Sequence, residues 1–304
     1  TFAGKGVEFD GILKSGRTHM QDAVPIRLGQ EFAAYGIAVA RARASIARAA
    51  DSLRELGLGG SAVGTGINTH PDYRALAVAS LARISGQQLA PAEDMRWAMQ
   101  SNAPMAEVSG ALRNLALEVI RISNDLRLLS SGPNTGFGEI NLPSLQPGSS
   151  IMPGKINPVL PELAAMVAFQ VVGNDAAVAL AVQAGQLELN VMMPTMAHNV
   201  LQSVTILGNM LREVDQRCVA GITANTERCK YYAQSTVSLA TALNPYIGYA
   251  RAAEVVKESI ATGKSIIEIA RGKQLLSEEQ IAEILDPLRM TEPQYPRDSE
   301  PGKA

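Results

Sequence analysis

Two adjacent hydroxyls, an ammonium and a carboxamide stand close together in the run GSSIMPGKINP at 148–158, as Ser149, Ser150, Lys155 and Asn157. Asn is a good helix N-cap and Pro is tolerated at the first helical position, so a helix is predicted to open at Asn157-Pro158. A helix N-terminus offers unpaired N–H groups and the positive end of the backbone dipole, which suits an anion such as a carboxylate. Ser, Gly and Pro are also ordinary loop residues. The residue types alone therefore leave open whether this run holds a substrate or simply caps a helix.

A second run, GRTHMQDAVP at 16–25, carries Thr18 and His19. Taken alone, His19 reads as a histidine hydrogen-bonded inside a turn. Gly16 and Pro25 punctuate the run as an extended segment that leads into a helix over 26–56, with Pro25 in its first turn. The glycine-rich run at 59–68 is no phosphate loop, because no strand precedes it and no Lys-Ser/Thr pair follows. Its glycines fit a tight turn between helices.

The elements that must position these residues are helical. Apolar residues recur at helical spacing over 26–56, 105–130 and 196–219, and the segment 158–185 is apolar nearly all round, the signature of a helix at the centre of a bundle. That segment carries Gln170, Asn174, Asp175 and Gln183, so it reads as a buried bundle helix and not a membrane span. Asn174 and Asp175 read as a satisfied polar pair at a helix crossing. From residue 221 on, short helices alternate with turns, and Ser277 with Gln280 forms a capping box. The tail 289–304 is predicted to be loose. The expectation is an all-α chain: a long helical-bundle domain over 1–220 and a small helical domain over 221–304.

Composition narrows the function. The 304 residues carry a net charge of −2 and 18% charged residues, which gives no reason to expect nucleic acid or an anionic membrane as partner. Apolar residues make up 46% and aromatics 4%, so closely packed aliphatic helices form the core. Cys218 and Cys229 lack metal-ligand spacing, and so few cysteines suit a reducing, cytoplasmic setting. His19, His70 and His198 are scattered, so no metal site is expected.

The run at 148–158 matches every specified position of the pattern GSSxMPxKxN, and 16–32 matches GRTHxQDAxPxxLGQEF closely. On these two runs the chain resembles the aspartase/fumarase superfamily. The likeness implies a central bundle of long helices, homotetramers whose active sites collect segments from three subunits, and an N-terminal domain with its own substrate-binding segments. It implies a β-elimination that releases fumarate from a dicarboxylate, with no metal or organic cofactor. Carried over residue by residue, Ser149 becomes the general base, and Ser150 and Met152 bind substrate. Thr18, Lys155 and Asn157 hold a substrate carboxylate. His19 contacts substrate, oriented by Glu162.

Within the superfamily, NPVLPE at 157–162 and AGQLELNVM at 184–192 follow the aspartase form and not the fumarase form. They point to L-aspartate, released as fumarate and ammonia. A class II fumarate hydratase and a non-catalytic structural relative are the alternatives. Two departures from the aspartase pattern, Asn134 in place of Arg and Met193 in place of an acid, bear on substrate preference. Because part of each site would lie in the N-terminal domain, the likeness also implies that the isolated chain is helical and oligomeric but inactive.

Overall fold

The computed structural model describes residues 1–293. The tail expected to be loose therefore lies, from residue 294 on, outside the described residues. In chain order the elements are α1 (Phe2–Glu8), β1 (Leu13–Thr18), β2 (Gln21–Arg27), α2 (Leu28–Asp51), β3 (Glu55–Leu56), α3 (Tyr73–Ser85), β4 (Ala90–Pro91) and α4 (Met95–Gln100). Then come α5 (Ala103–Leu129), β5 (Ile140–Asn141), α6 (Val159–Gln183), α7 (Met193–Arg217), β6 (Thr223–Ala224) and α8 (Thr226–Ser235). A 3-10 segment (Val237–Leu243) leads to α9 (Asn244–Ile247), α10 (Tyr249–Thr262), α11 (Ile266–Gly272) and α12 (Glu278–Ile284). The chain is all-α in class, with strands confined to three two-stranded pieces among the described residues. It divides into two compact units, one of residues 1–36, 128–143 and 219 onward, the other of residues 37–127 and 144–218.

The second unit is a bundle. Leu112, Leu115 and Val119 on α5 face Ala164, Ala168, Val171 and Val178 on α6 and Met196, Val200 and Leu207 on α7. These positions recur at spacings of three, four or seven residues, so each helix turns one side inward. Burying one such Leu or Val contributes about 1.5–3 kcal/mol. Small residues on α6 let its neighbours approach closely. Helix α6 is by length and composition apolar enough to cross a membrane, which the sequence reading did not expect. Its interior polar residues are those of a bundle helix. Asn174 donates to Gln202 at 2.9 Å and to Ser203 at 3.0 Å, while Asp175 accepts from Ser109 at 2.7 Å and Arg113 at 3.0 Å. The helix runs unbroken through both. It ends where Asn190, fully buried, donates to the carbonyls of Ala181 and Val182 and so satisfies two acceptors of the last turn.

The first unit has two apolar centres. Phe2, Phe9, Phe32 and Tyr35 form an aromatic cluster, with Phe9 edge-on to Phe32 at 5.1 Å. Leu239, Leu243, Val255, Ile266, Ile269 and Ile281 form the other. The Ser277 and Gln280 capping box is present as expected, and Ser265 with Glu268 forms another.

The unit also holds the main departure from the sequence reading. Residues 13–27 form an antiparallel hairpin in place of an extended lead-in. Pro25 lies in β2 opposite Ser15, and the helix begins only at Leu28. A proline lacks the N–H a ladder needs, but at an irregular edge pairing it can be accommodated. The pairing slips between Ser15 and Arg17, where a side chain on Gly16 would meet the carbonyl oxygen of Val24 at 2.6 Å.

Candidate active site

The serine-rich run folds as a loop that is tied across its base. A Cβ on Gly148 would lie 2.2 Å from the carbonyl oxygen of Lys155, so only glycine fits there. In that space the Gly148 N–H donates to Lys155 O at 3.0 Å. Asn157 Nδ2 donates to Gly148 O at 2.7 Å. These bonds from opposite ends close the loop on itself. They also correct the helix start: the side chain of Asn157 is engaged by the loop, and Pro158 takes the cap position of α6 with no side-chain bond.

Inside this loop, Ser149 Oγ accepts two backbone hydrogen bonds, from Ile151 N–H at 3.1 Å and Met152 N–H at 3.0 Å. Ser149 is half-buried, whereas Ser150, Met152 and Lys155 are exposed. A hydroxyl is a poor base at its ordinary pKa. Two fixed N–H dipoles on its oxygen favour the form that carries negative charge. The same loop leaves the Lys155 ammonium open to an incoming anion. Asn157 keeps a second amide hydrogen after its bond to Gly148.

Thr18 and His19 sit at the tip of the β1–β2 hairpin, where Thr18 pairs with Gln21. His19 and Met20 are both exposed and left-handed, with φ of 54° and 62°. Two central residues at positive φ make the two-residue turn whose twist matches that of the strands. Glu162 lies half-buried in the first turn of α6, with the Arg127 guanidinium at 4.0 Å. Thr18 and His19 belong to the first unit, while Glu162 and the serine loop belong to the second.

The sequence reading placed Glu139 only in a string, 139–143, that follows the aspartase form, and did not foresee its ion pairs. Glu139 has no exposed surface and forms ion pairs with Arg17 at 3.0 Å and Lys14 at 3.3 Å. An acid just ahead of β5 gives no local sign of partners more than a hundred positions away. The two cysteines are buried and free. Burial pushes the Cys218 thiol up to about 11 and the Cys229 thiol up to about 12, the latter also through the Glu139 carboxylate. Neither reads as a nucleophile. Among the described residues no group of three or more His, Cys, Asp or Glu could hold a metal ion.

The family model described as Lyase matches residues 1–173, and one described as Fumarase C C-terminus matches residues 239–292. The chain belongs to this lyase family. It is 49% identical over 293 residues to an aspartate ammonia-lyase of Pseudomonas aeruginosa, covering 96% of the chain and 62% of that relative. It is 47% identical to an aspartate ammonia-lyase of Bacillus subtilis, again over 96% of the chain and 62% of the relative. Among solved structures, a fumarate lyase:delta crystallin from Brucella melitensis superposes with a TM-score of 0.92 at 46% identity, covering 96% of this chain and 63% of that one. A class II fumarase from Schistosoma mansoni gives 0.93 at 36% identity, covering 95% and 64%. The chain thus spans about 62% of the length of the curated relatives it matches.

Proposed function

We propose that the protein carrying this chain is an ammonia-lyase that converts L-aspartate reversibly to fumarate and ammonia. The observation that carries this reading is the pair of N–H groups aimed at Ser149 Oγ. In the reaction Ser149, held as its alkoxide by the two N–H groups, takes a proton from the carbon beside one carboxylate and becomes the neutral hydroxyl. The electron pair of that C–H bond forms the new double bond, and the neighbouring C–N bond breaks with its pair leaving on ammonia. The intermediate places a second negative charge on the carboxylate next to the abstracted proton, where Ser150 and the loop amides stabilise it. Lys155, Asn157 and Thr18 grip the other carboxylate. Met152 lines the substrate's place, and its N–H serves Ser149.

His19 contacts the substrate, and Glu162 orients its ring by hydrogen bonding. As the family resemblance implies, we assign Thr18 and the serine loop of one site to different subunits of a homotetramer. Exposed apolar residues of α6, Met166, Phe169 and Leu180, suit burial against other copies of this bundle. We take residues 1–220 as the central domain and 221–304 as the small C-terminal domain of a cytoplasmic enzyme. Identity of 46–49% to proteins named aspartate ammonia-lyase, against 36% to the class II fumarase, favours ammonia over water as the leaving group. The test is release of fumarate from L-aspartate, with Ser149→Ala as the inactive control.

A further inference from the structure

The hairpin that presents Thr18 and His19 ends in a turn its residues do not favour. A left-handed backbone is unfavourable for a non-glycine residue, and His19 and Met20 adopt it in succession. Such a turn persists only where its surroundings over-determine it. The surroundings here are a buried ion cluster beneath β1. Arg17 Nη1 lies 3.0 Å from both carboxylate oxygens of Glu139. Lys14, itself buried, reaches Glu139 at 3.3 Å and Glu31 at 3.1 Å. The Arg17 guanidinium is also stacked, 4.2 Å from the Phe137 ring centre and 5.1 Å from that of Tyr232.

Glu139 is held from every side. Its N–H donates to Leu129 O at 2.9 Å, and its carbonyl accepts from Asn225 N–H at 2.8 Å and the Cys229 thiol at 3.4 Å. Two acids and two bases balance in charge. Yet a buried ion cluster is weak support for stability, because apolar residues of like volume commonly do as well. What the cluster does supply is a fixed geometry for Arg17, the residue directly before Thr18.

We propose that Glu139 is a positioning residue for the lyase reaction: through Arg17 and Lys14 it sets the place of the Thr18–Gln21 turn and so the grip on the substrate carboxylate. This rests on the function proposed above. Glu139 touches no substrate.

The test uses the protein expressed from its full gene, in three variants. Glu139→Gln keeps the shape and removes the charge. Arg17→Lys keeps the charge and removes the planar fork and its stacking. Phe137→Leu removes one stacking face only, and serves with Arg17→Lys if Glu139→Gln does not fold. Loss of a charge-assisted contact to a carboxylate is felt as about tenfold to a hundredfold in KM for aspartate, with kcat changed by less than about threefold. Amide exchange at residues 17–21 accelerates in the same variants while exchange in α5–α7 does not. A fall in kcat through a smaller folded fraction, with KM and hairpin exchange unchanged in the variants that fold, would overturn the proposal. If the parent protein releases no fumarate from aspartate, the reading of its function fails. Hairpin exchange then still decides whether Glu139 holds the turn.

Discussion

Ser149 and Met152 are bound through a single contact that gives the loop its chemical character: the Met152 N–H reaches Ser149 Oγ at 3.0 Å, beside that of Ile151 at 3.1 Å. A side-chain oxygen that receives two backbone donors is prepared to carry charge before a substrate arrives. Ser149→Ala is expected to lower kcat by at least about a thousandfold, since proton transfer and charge stabilisation are lost together. The fold should be unchanged, because the side chain is half-buried in a loop that Gly148 and Asn157 close. Circular dichroism and the rate of fumarate release check both halves.

Asn157 offers a second test of the same loop. Its amide donates to Gly148 O, so alanine removes one tie and, on the proposed reading, one carboxylate ligand. Aspartate in its place should be worse than alanine. Its oxygens would face the Gly148 carbonyl, and its charge would face the substrate carboxylate. The expected order of kcat/KM is therefore wild type, Asn157→Ala, Asn157→Asp, with about tenfold or more between the first two.

The same residue shows what a sequence can and cannot reveal. The serine run and the hairpin run are contiguous, so the candidate residues could be read directly from their order. Helices α5 and α7 were legible because their apolar stripes repeat with the helical period, and α6 because it is apolar nearly all round. The capping box at Ser277 was legible because its partner is only three residues away. The hairpin was not, because a His-Met turn lacks the Asn-Gly or Gly signal of such turns, and Pro25 argued for a helix start. Asn157 was misread as a cap because its true partner, Gly148, is set by loop closure. The ion pairs of Glu139 were missed because Lys14 and Arg17 reach it only after folding.

The polar centre of the bundle should be costly to break. Asn174 donates to both Gln202 and Ser203 and accepts from Gln170 at 2.8 Å. Asn174→Ala strands these partners and is expected to destabilise the chain by about 1–3 kcal/mol. A lowered urea midpoint with an unchanged slope would report this. An unchanged midpoint would mean that the partners find other bonds.

The buried thiols give a pH signature. Folding raises Cys218 to about 11 and Cys229 to about 12, so the unfolded chain, with thiols near 8.5, loses their protons first. Their contribution to stability is full below about pH 8.5 and is lost as the pH climbs through the folded values. Stability should therefore fall with pH above about 8.5 more steeply in the wild type than in a Cys218→Ala, Cys229→Ala variant. The difference approaches two protons per molecule. Alkylation by iodoacetamide at pH 8 should be slow in the folded protein and fast in denaturant. Equal rates would contradict the burial of both side chains.

The central claim is that the serine loop removes a proton from L-aspartate and expels ammonia. The most direct measurement follows fumarate by its ultraviolet absorbance with L-aspartate and, separately, with L-malate, using the protein expressed from its full gene and no added cofactor. The account predicts rapid fumarate release from aspartate, little from malate, and none from aspartate with Ser149→Ala. Release from malate alone, or undiminished release by Ser149→Ala, would contradict it.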